Sequence, residues 1–139
     1  MIKSFHIKYS ASVVFFSITM IFFSCKKSGN SAGGGAVSGS ATLDAEVKHH
    51  YWAIPQCTVY MKKNCSTFPG KSPSNYDSFQ TADNSGLIHV EGLANGSYFF
   101  YAIGWDVNVA DTVWGYNSVI INNKPGEVKN YELSIPVSE

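Results

Sequence analysis

The sequence predicts an all-β fold, a sandwich of seven strands carried by residues 41–139, and three observations predict it. Residues 41–48 (ATLDAEVK) alternate apolar and polar with the period of two expected of a half-buried strand. Residues 97–103 (SYFFYAI) are apolar and aromatic on both faces, as a central strand covered on both sides should be. Turn-forming clusters of Gly, Pro, Asn and Asp separate such runs, and no stretch of the domain shows a helical period.

Taken in order, the first strand places Ala41, Leu43, Ala45 and Val47 inward and Thr42, Asp44, Glu46 and Lys48 outward, and it ends at His49 and His50. Residues 51–55 connect it to a second strand over 56–63. Residues 64–75, punctuated by Pro69, Gly70 and Pro73, form a loop, and 76–81 a third strand. Asp83, Asn84, Ser85 and Gly86 make a turn, because Asp and Asn bond their own backbone and Gly accepts positive φ. The strand after it buries Ile88 and Val90 and turns Leu87, His89 and Glu91 outward; the Asn-Gly of 92–96 then makes it a hairpin with the aromatic strand 97–103. Residues 107–111 form a loop, 113–121 a strand and 122–126 (NNKPG) a turn. The last strand, 128–137, points Tyr131, Leu133, Ile135 and Val137 inward.

Residues 1–24 read as a secretory signal. Lys3 and Lys8 precede a short apolar run, 11–23 (ASVVFFSITMIFF), too brief for a comfortable membrane span. The run ends Phe22, Phe23, Ser24, Cys25, which resembles a lipobox with Phe22 in place of the commoner Leu. That resemblance implies cleavage before Cys25 and a diacylglycerol on its sulfur. Each buried CH₂ of such an anchor contributes about 0.8 kcal/mol, and two or three chains hold a protein on a membrane. Lys26 and Lys27 follow and no acid appears before Asp44, which by resemblance to lipoprotein sorting implies the outer membrane. Residues 28–40 (SGNSAGGGAVSGS) are a flexible tether with a reach of about 20 Å.

The whole chain has no net charge, but six lysines face ten acids from residue 41 onward, a balance of −4, and arginine is absent. An acidic domain without arginine lacks the footprint of nucleic-acid or phosphate recognition, and nucleic acid is excluded as a partner. About 100 residues suffice for one core and no second domain. Cys57 shares the inward parity of Val59 and Met61 and reads as a small buried hydrophobe. If 56–63 is one strand, Cys65 lies roughly 26 Å from it along the chain, far beyond disulfide reach. Cys65 is then a free or partly covered thiol, although a sharp turn near Lys62 would restore a bridge.

The order of a small residue before Val59 and Tyr60 (here Cys57), then Asp83 to Gly86, then Gly92, Leu93, Gly96, Tyr98 and Ala102, resembles prealbumin-like, carboxypeptidase-regulatory-like domains of bacterial envelope proteins. The likeness spans 40–137 and implies a Greek-key sandwich of seven strands. It also brings in the hydroxyisourate hydrolases, whose site resembles His plus Arg plus a terminal Tyr-Arg-Gly-Ser. This chain has no Arg and reads Pro136, Val137, Ser138, Glu139 at that place. Nor does any serine sit in a nucleophile elbow. No catalytic residue, cofactor or metal site is expected.

The mature histidines His49, His50 and His89 read as exposed hydrogen-bonding residues, since neighbours on a strand face opposite ways and His49 and His50 share an ion only if the strand has ended. Asp106, Asn108 and Asp111 lack the pattern of a calcium loop and read as turn residues. Aromatic residues outnumber what one core needs. Tyr51, Trp52, Phe68, Tyr76, Trp105, Trp114 and Tyr116 lie in connections or near strand ends, either capping the sandwich or contacting a ligand. Of these Trp52, Trp105, Trp114 and Tyr116 are the candidate contacts. The expected protein is a non-enzymatic lipoprotein module held on the membrane through Cys25. It binds another envelope protein, or in a second reading polysaccharide.

Overall fold

The structure, a computed structural model, describes residues 39–139. The expected signal segment 1–24, Cys25 and most of the expected tether lie outside the described residues. Eight strands run in chain order: β1 (Ala41–His49), β2 (Trp52–Ala53), β3 (Thr58–Lys63), β4 (Ser78–Thr81), β5 (Leu87–Leu93), β6 (Gly96–Asp106), β7 (Asp111–Ile121) and β8 (Lys129–Ser138). All seven expected strands are present. The eighth, β2, is a two-residue ribbon where a connection was expected, formed because His50 takes φ 53° and reverses the chain.

The strands make one curled mixed sheet in the order β2, β1, β8, β7, β6, β3, β4, with β5 on the same edge of β1 as β2. It curls over into a sandwich-like fold with open edges at β4 and at β5. One layer holds β1, β2, β5 and β8; the other holds β3, β4, β6 and β7. Only two register pairs, Trp114↔Ser138 and Gly115↔Val137, join the layers. There the backbones approach so closely that a Cβ on Gly115 would lie 2.0 Å from the Pro136 carbonyl oxygen. β1 and β8 pair in parallel from Ala41↔Lys129 to Lys48↔Pro136.

One pairing differs from expectation. β5 and β6 do not form a hairpin: β5 pairs with β1, and β6 lies in the other layer between β3 and β7. The alternation in residues 41–48, 87–91 and 128–137 correctly assigned their inward faces, but faces do not name partners. The glycine-rich connection crosses between the layers, and the Tyr98 hydroxyl donates to the Ala94 carbonyl at 2.9 Å across that crossing, the device of a tyrosine corner.

The core between the layers is made of the inward residues the periodicity named, including Leu43, Val47, Val59, Ile88, Phe100, Val113 and Ile135. A second apolar cluster lies on the outer face of β3, β6 and β7, where Cys65 and Tyr76 of the loop that links β3 to β4 are buried against Phe99 and Tyr101. The loop is held down by Asp77, whose carboxylate accepts from the buried Lys62 ammonium at 3.2 Å and from the Lys63 amide at 2.8 Å. Much of the aromatic excess belongs to this cluster.

Cys57 is a free, buried thiol and is not bridged to Cys65. Cys65 departs from expectation: it is buried and disulfide-bonded, not a free thiol.

Candidate functional site at the end opposite the tether

β1 starts beside Gly39, whose amide donates to the Gly92 carbonyl, and beside Ser40, which accepts from Asn123. Residues 39–40 therefore enter at one end of the sandwich, the end where the expected tether would join, and β1 runs from there to the opposite end.

The inward parity of β1 continues through Ala41, Leu43, Ala45 and Val47 to His49, which is 2% exposed. The inward parity of β6 continues through Tyr98, Phe100, Ala102 and Gly104 to Asp106, also 2% exposed. Gly104 gives up its side chain because a Cβ there would meet that of Cys57 at 2.5 Å. The two polar residues thus meet at the same end, with His49 Nδ1 2.7 Å from Asp106 Oδ2. The Asn108 amide holds Asp106 below its ordinary pKa, with the His49 ring adding to the effect. An ionised carboxylate can only accept, which places the His49 proton on Nδ1. Nε2 is then a bare acceptor. It is buried with no hydrogen-bond partner, and it faces Glu139 Oε1 at 3.7 Å.

His49 is accordingly not the exposed histidine expected, and Asp106 is not simply a turn residue. Each continues an inward parity by one step, a signal legible in the sequence. His50 is exposed, as expected. Because the strand has ended, its ring lies beside that of His49, with centroids 4.3 Å apart. No group of three His, Cys, Asp or Glu poised for a metal occurs among the described residues.

Several large apolar side chains are exposed at this end beside the polar Glu139, His50 and Asn108. Tyr51 (92% exposed) and Trp52 (60%) stand at the β1–β2 reversal, next to His49 through its register partner Trp52. Trp105 (55%), Val107 (75%) and Val109 flank Asp106 at the β6–β7 turn.

The four expected contact residues do not form one site. Trp105, Trp114 and Tyr116 share the outer face of β6 and β7, where Ile103 pairs with Trp114 and Tyr101 with Tyr116. Tyr116 is stacked by Phe68 at 4.8 Å between ring centroids, and the Lys71 ammonium sits 3.4 Å from the Trp114 centroid. Of these three, only Trp105 has neither a ring stacked on it nor a cation over it among the described residues. Trp52 belongs to the other layer. The third histidine, His89, lies on the outer face of β5, exposed as expected, between Asp44 at 2.5 Å and Glu91 at 3.3 Å.

No known family profile matches the chain, and no curated protein matches it. Among solved structures it is similar to the major pilin subunit of Bacillus cereus, at 10% identity over 73% of this chain and 30% of that one, with a TM-score of 0.48. It is also similar to a protein from Pseudomonas aeruginosa described as carbohydrate-binding, at 11% identity over 70% and 90% of the two chains, with a TM-score of 0.43. A third likeness is to a 9R-lipoxygenase from Cyanothece, at 9% identity over 80% and 18%, with a TM-score of 0.38. The chain spans less than a third of the pilin subunit's length. Likenesses this distant carry no statement about what the chain does.

Proposed function

We propose that this protein is a non-enzymatic, lipid-anchored module of the bacterial envelope. In this reading it docks a second envelope protein on the end of the sandwich opposite its tether. One observation carries it: Tyr51, Trp52, Trp105, Val107 and Val109 are all exposed at that end, opposite the point where residues 39–40 enter the fold. Aromatic and aliphatic side chains gathered on a surface favour a protein partner, since burying them from water supplies binding energy and a Trp ring supplies a hot spot. The partner chemistry that fits is an apolar pocket with polar rim groups.

The reading is non-enzymatic because a His–Asp pair acting as a general base must offer Nε2 to a nucleophile or water. Here Nε2 faces the Glu139 carboxylate and is closed to solvent.

The test is a photo-reactive residue placed at Val107, and separately at Lys124 on the tether end, in the full chain in intact cells. One stoichiometric envelope protein captured from position 107, not from 124, and lost in a Trp52→Ala, Trp105→Ala double variant, supports the reading. No adduct at 107 sinks it. The anchor is tested separately by the mass of the N-terminal peptide. A diacylglycerol thioether on Cys25 supports the lipoprotein reading, and recovery of Cys25 as cystine overturns it, because one sulfur cannot serve both.

A second reading, polysaccharide binding, is favoured by the open Trp105 ring beside Trp114 and Tyr116 on one face. It predicts that Trp105→Ala alone abolishes retention on insoluble glycan.

A further inference from the structure

We propose that His49 is a proton-operated lock on the docking end. When charged, its ring bridges Asp106 at the end of β6 to Glu139 beyond β8. When neutral, it holds Asp106 alone and lets go of Glu139, loosening the end of β8 and the Tyr51–Trp52 corner. The consequence for a partner rests on the docking reading above. The lock itself rests on the buried geometry.

Unsatisfied buried polar atoms are rare, and each asks for a reason. His49 Nε2 is one such atom. Its nearest charged neighbour is the Glu139 carboxylate at 3.7 Å, too far for a hydrogen bond. With the proton on Nδ1, Nε2 and Glu139 Oε1 are two acceptors facing each other, an arrangement that neither bonds nor attracts. A second ring proton turns Nε2 into a donor aimed at an anion. Glu139 is 55% exposed along its side chain, so it can close the remaining gap by a change of rotamer while the buried His49 and Asp106 stay in place.

The groups around the ring come from five elements. β6 supplies Asp106; β7 supplies Asp111, the register partner of Asp106; and Glu139 follows β8. His50 lies alongside on β1's end, and β2 contributes the uncharged Trp52. Asp106 and Glu139 face the two ring nitrogens and His50 lies against the ring face, with Asp111 at the same strand end, and none of these groups is a lysine. By contrast, the exposed His89 has both ring nitrogens already engaged, by Asp44 and Glu91, and no orphaned atom to switch.

The test uses the full chain in detergent with labelled imidazoles. The His49 ring is titrated by NMR between about pH 5 and 8, and amide exchange in β8 is followed in parallel, corrected for the intrinsic pH dependence by the β1 amides at the tether end. The expected result is that the amides of Ile135, Val137, Ser138 and Glu139 exchange at least tenfold faster on the alkaline side of the His49 transition. Glu139→Gln should remove that response, and His89→Gln should keep it. His49→Gln should also remove it; if that variant fails to fold, Glu139→Gln and the ring titration decide. Corrected exchange that ignores the His49 transition, an unchanged response in Glu139→Gln, or a response lost in His89→Gln each overturns the lock. A pH response without an adduct at position 107 overturns the docking reading and supports the lock. An adduct without a pH response does the reverse.

Discussion

Cys57 shows how burial turns a reactive group into packing. Its thiol is pushed up to about 11 by desolvation, so the thiolate that attacks alkylating reagents is scarce at neutral pH. Native protein should leave Cys57 unlabelled by iodoacetamide over hours at pH 7.5, with quantitative labelling after denaturation. Partial native labelling would show that the end of the core near Ile54 opens. His89 is the opposite case, an exposed ring raised above its ordinary pKa chiefly by the Asp44 hydrogen bond, while Asp44 is lowered chiefly by His89. A raised histidine stabilises fully below its unfolded value and loses that effect as pH climbs through the folded one. A lowered aspartate stabilises above its unfolded value. The pair therefore helps most between about pH 4 and 6.5. Urea midpoints of His89→Gln should fall below those of the parent at pH 5.5 and match them at pH 8.5, by a modest margin because both groups are solvated. Lys62 is different again: its ammonium is buried and depends on Asp77. Asp77→Ala should destabilise by about 1–3 kcal/mol, and protease sites in the loop between β3 and β4 should open.

At the level of strands, faces were legible and partners were not. Val59, Ile88, Val90, Leu133 and Ile135 point inward as their alternation dictates, because a pleated strand leaves each side chain only two directions. Whether β5 meets β6 or β1 depends on contacts forty or more residues apart, on which local pattern is silent. The same limit hid the second cluster. Phe68 and Tyr76 read as surplus aromatics because nothing local shows that their loop folds over Phe99 and Tyr101. Two substitutions probe this level. Phe100→Ala removes a fully buried ring and should cost about 3–5 kcal/mol in chemical denaturation. Gly115→Ala places a methyl against the β8 backbone and should lower the melting temperature by several degrees, roughly 4–8 °C per kcal/mol lost for a domain of this size. An unchanged melting temperature would mean that the seam between the layers adjusts freely.

The molecule as a whole has a direction. Residues 39–40 enter at one end, open aromatic and aliphatic side chains lie at the other, and the long axis of β1 connects them. The surplus of aromatic residues was legible in the sequence, but not that Trp52 and Trp105 would stand on different layers at one end while Trp114 and Tyr116 were covered on the flank. If the docking reading is right, Trp52→Ala should weaken capture at position 107 at least tenfold and leave the urea midpoint unchanged. A partner pulling on that end while the tether holds the other would load β1 lengthwise. β1 is bonded along both edges, in parallel to β8 through eight register pairs and antiparallel to β5 and β2. The force runs along these ladders and not across them, so it shears many hydrogen bonds together instead of peeling them one by one. The strand that first enters the fold is thus also the one best placed to resist being drawn out of it.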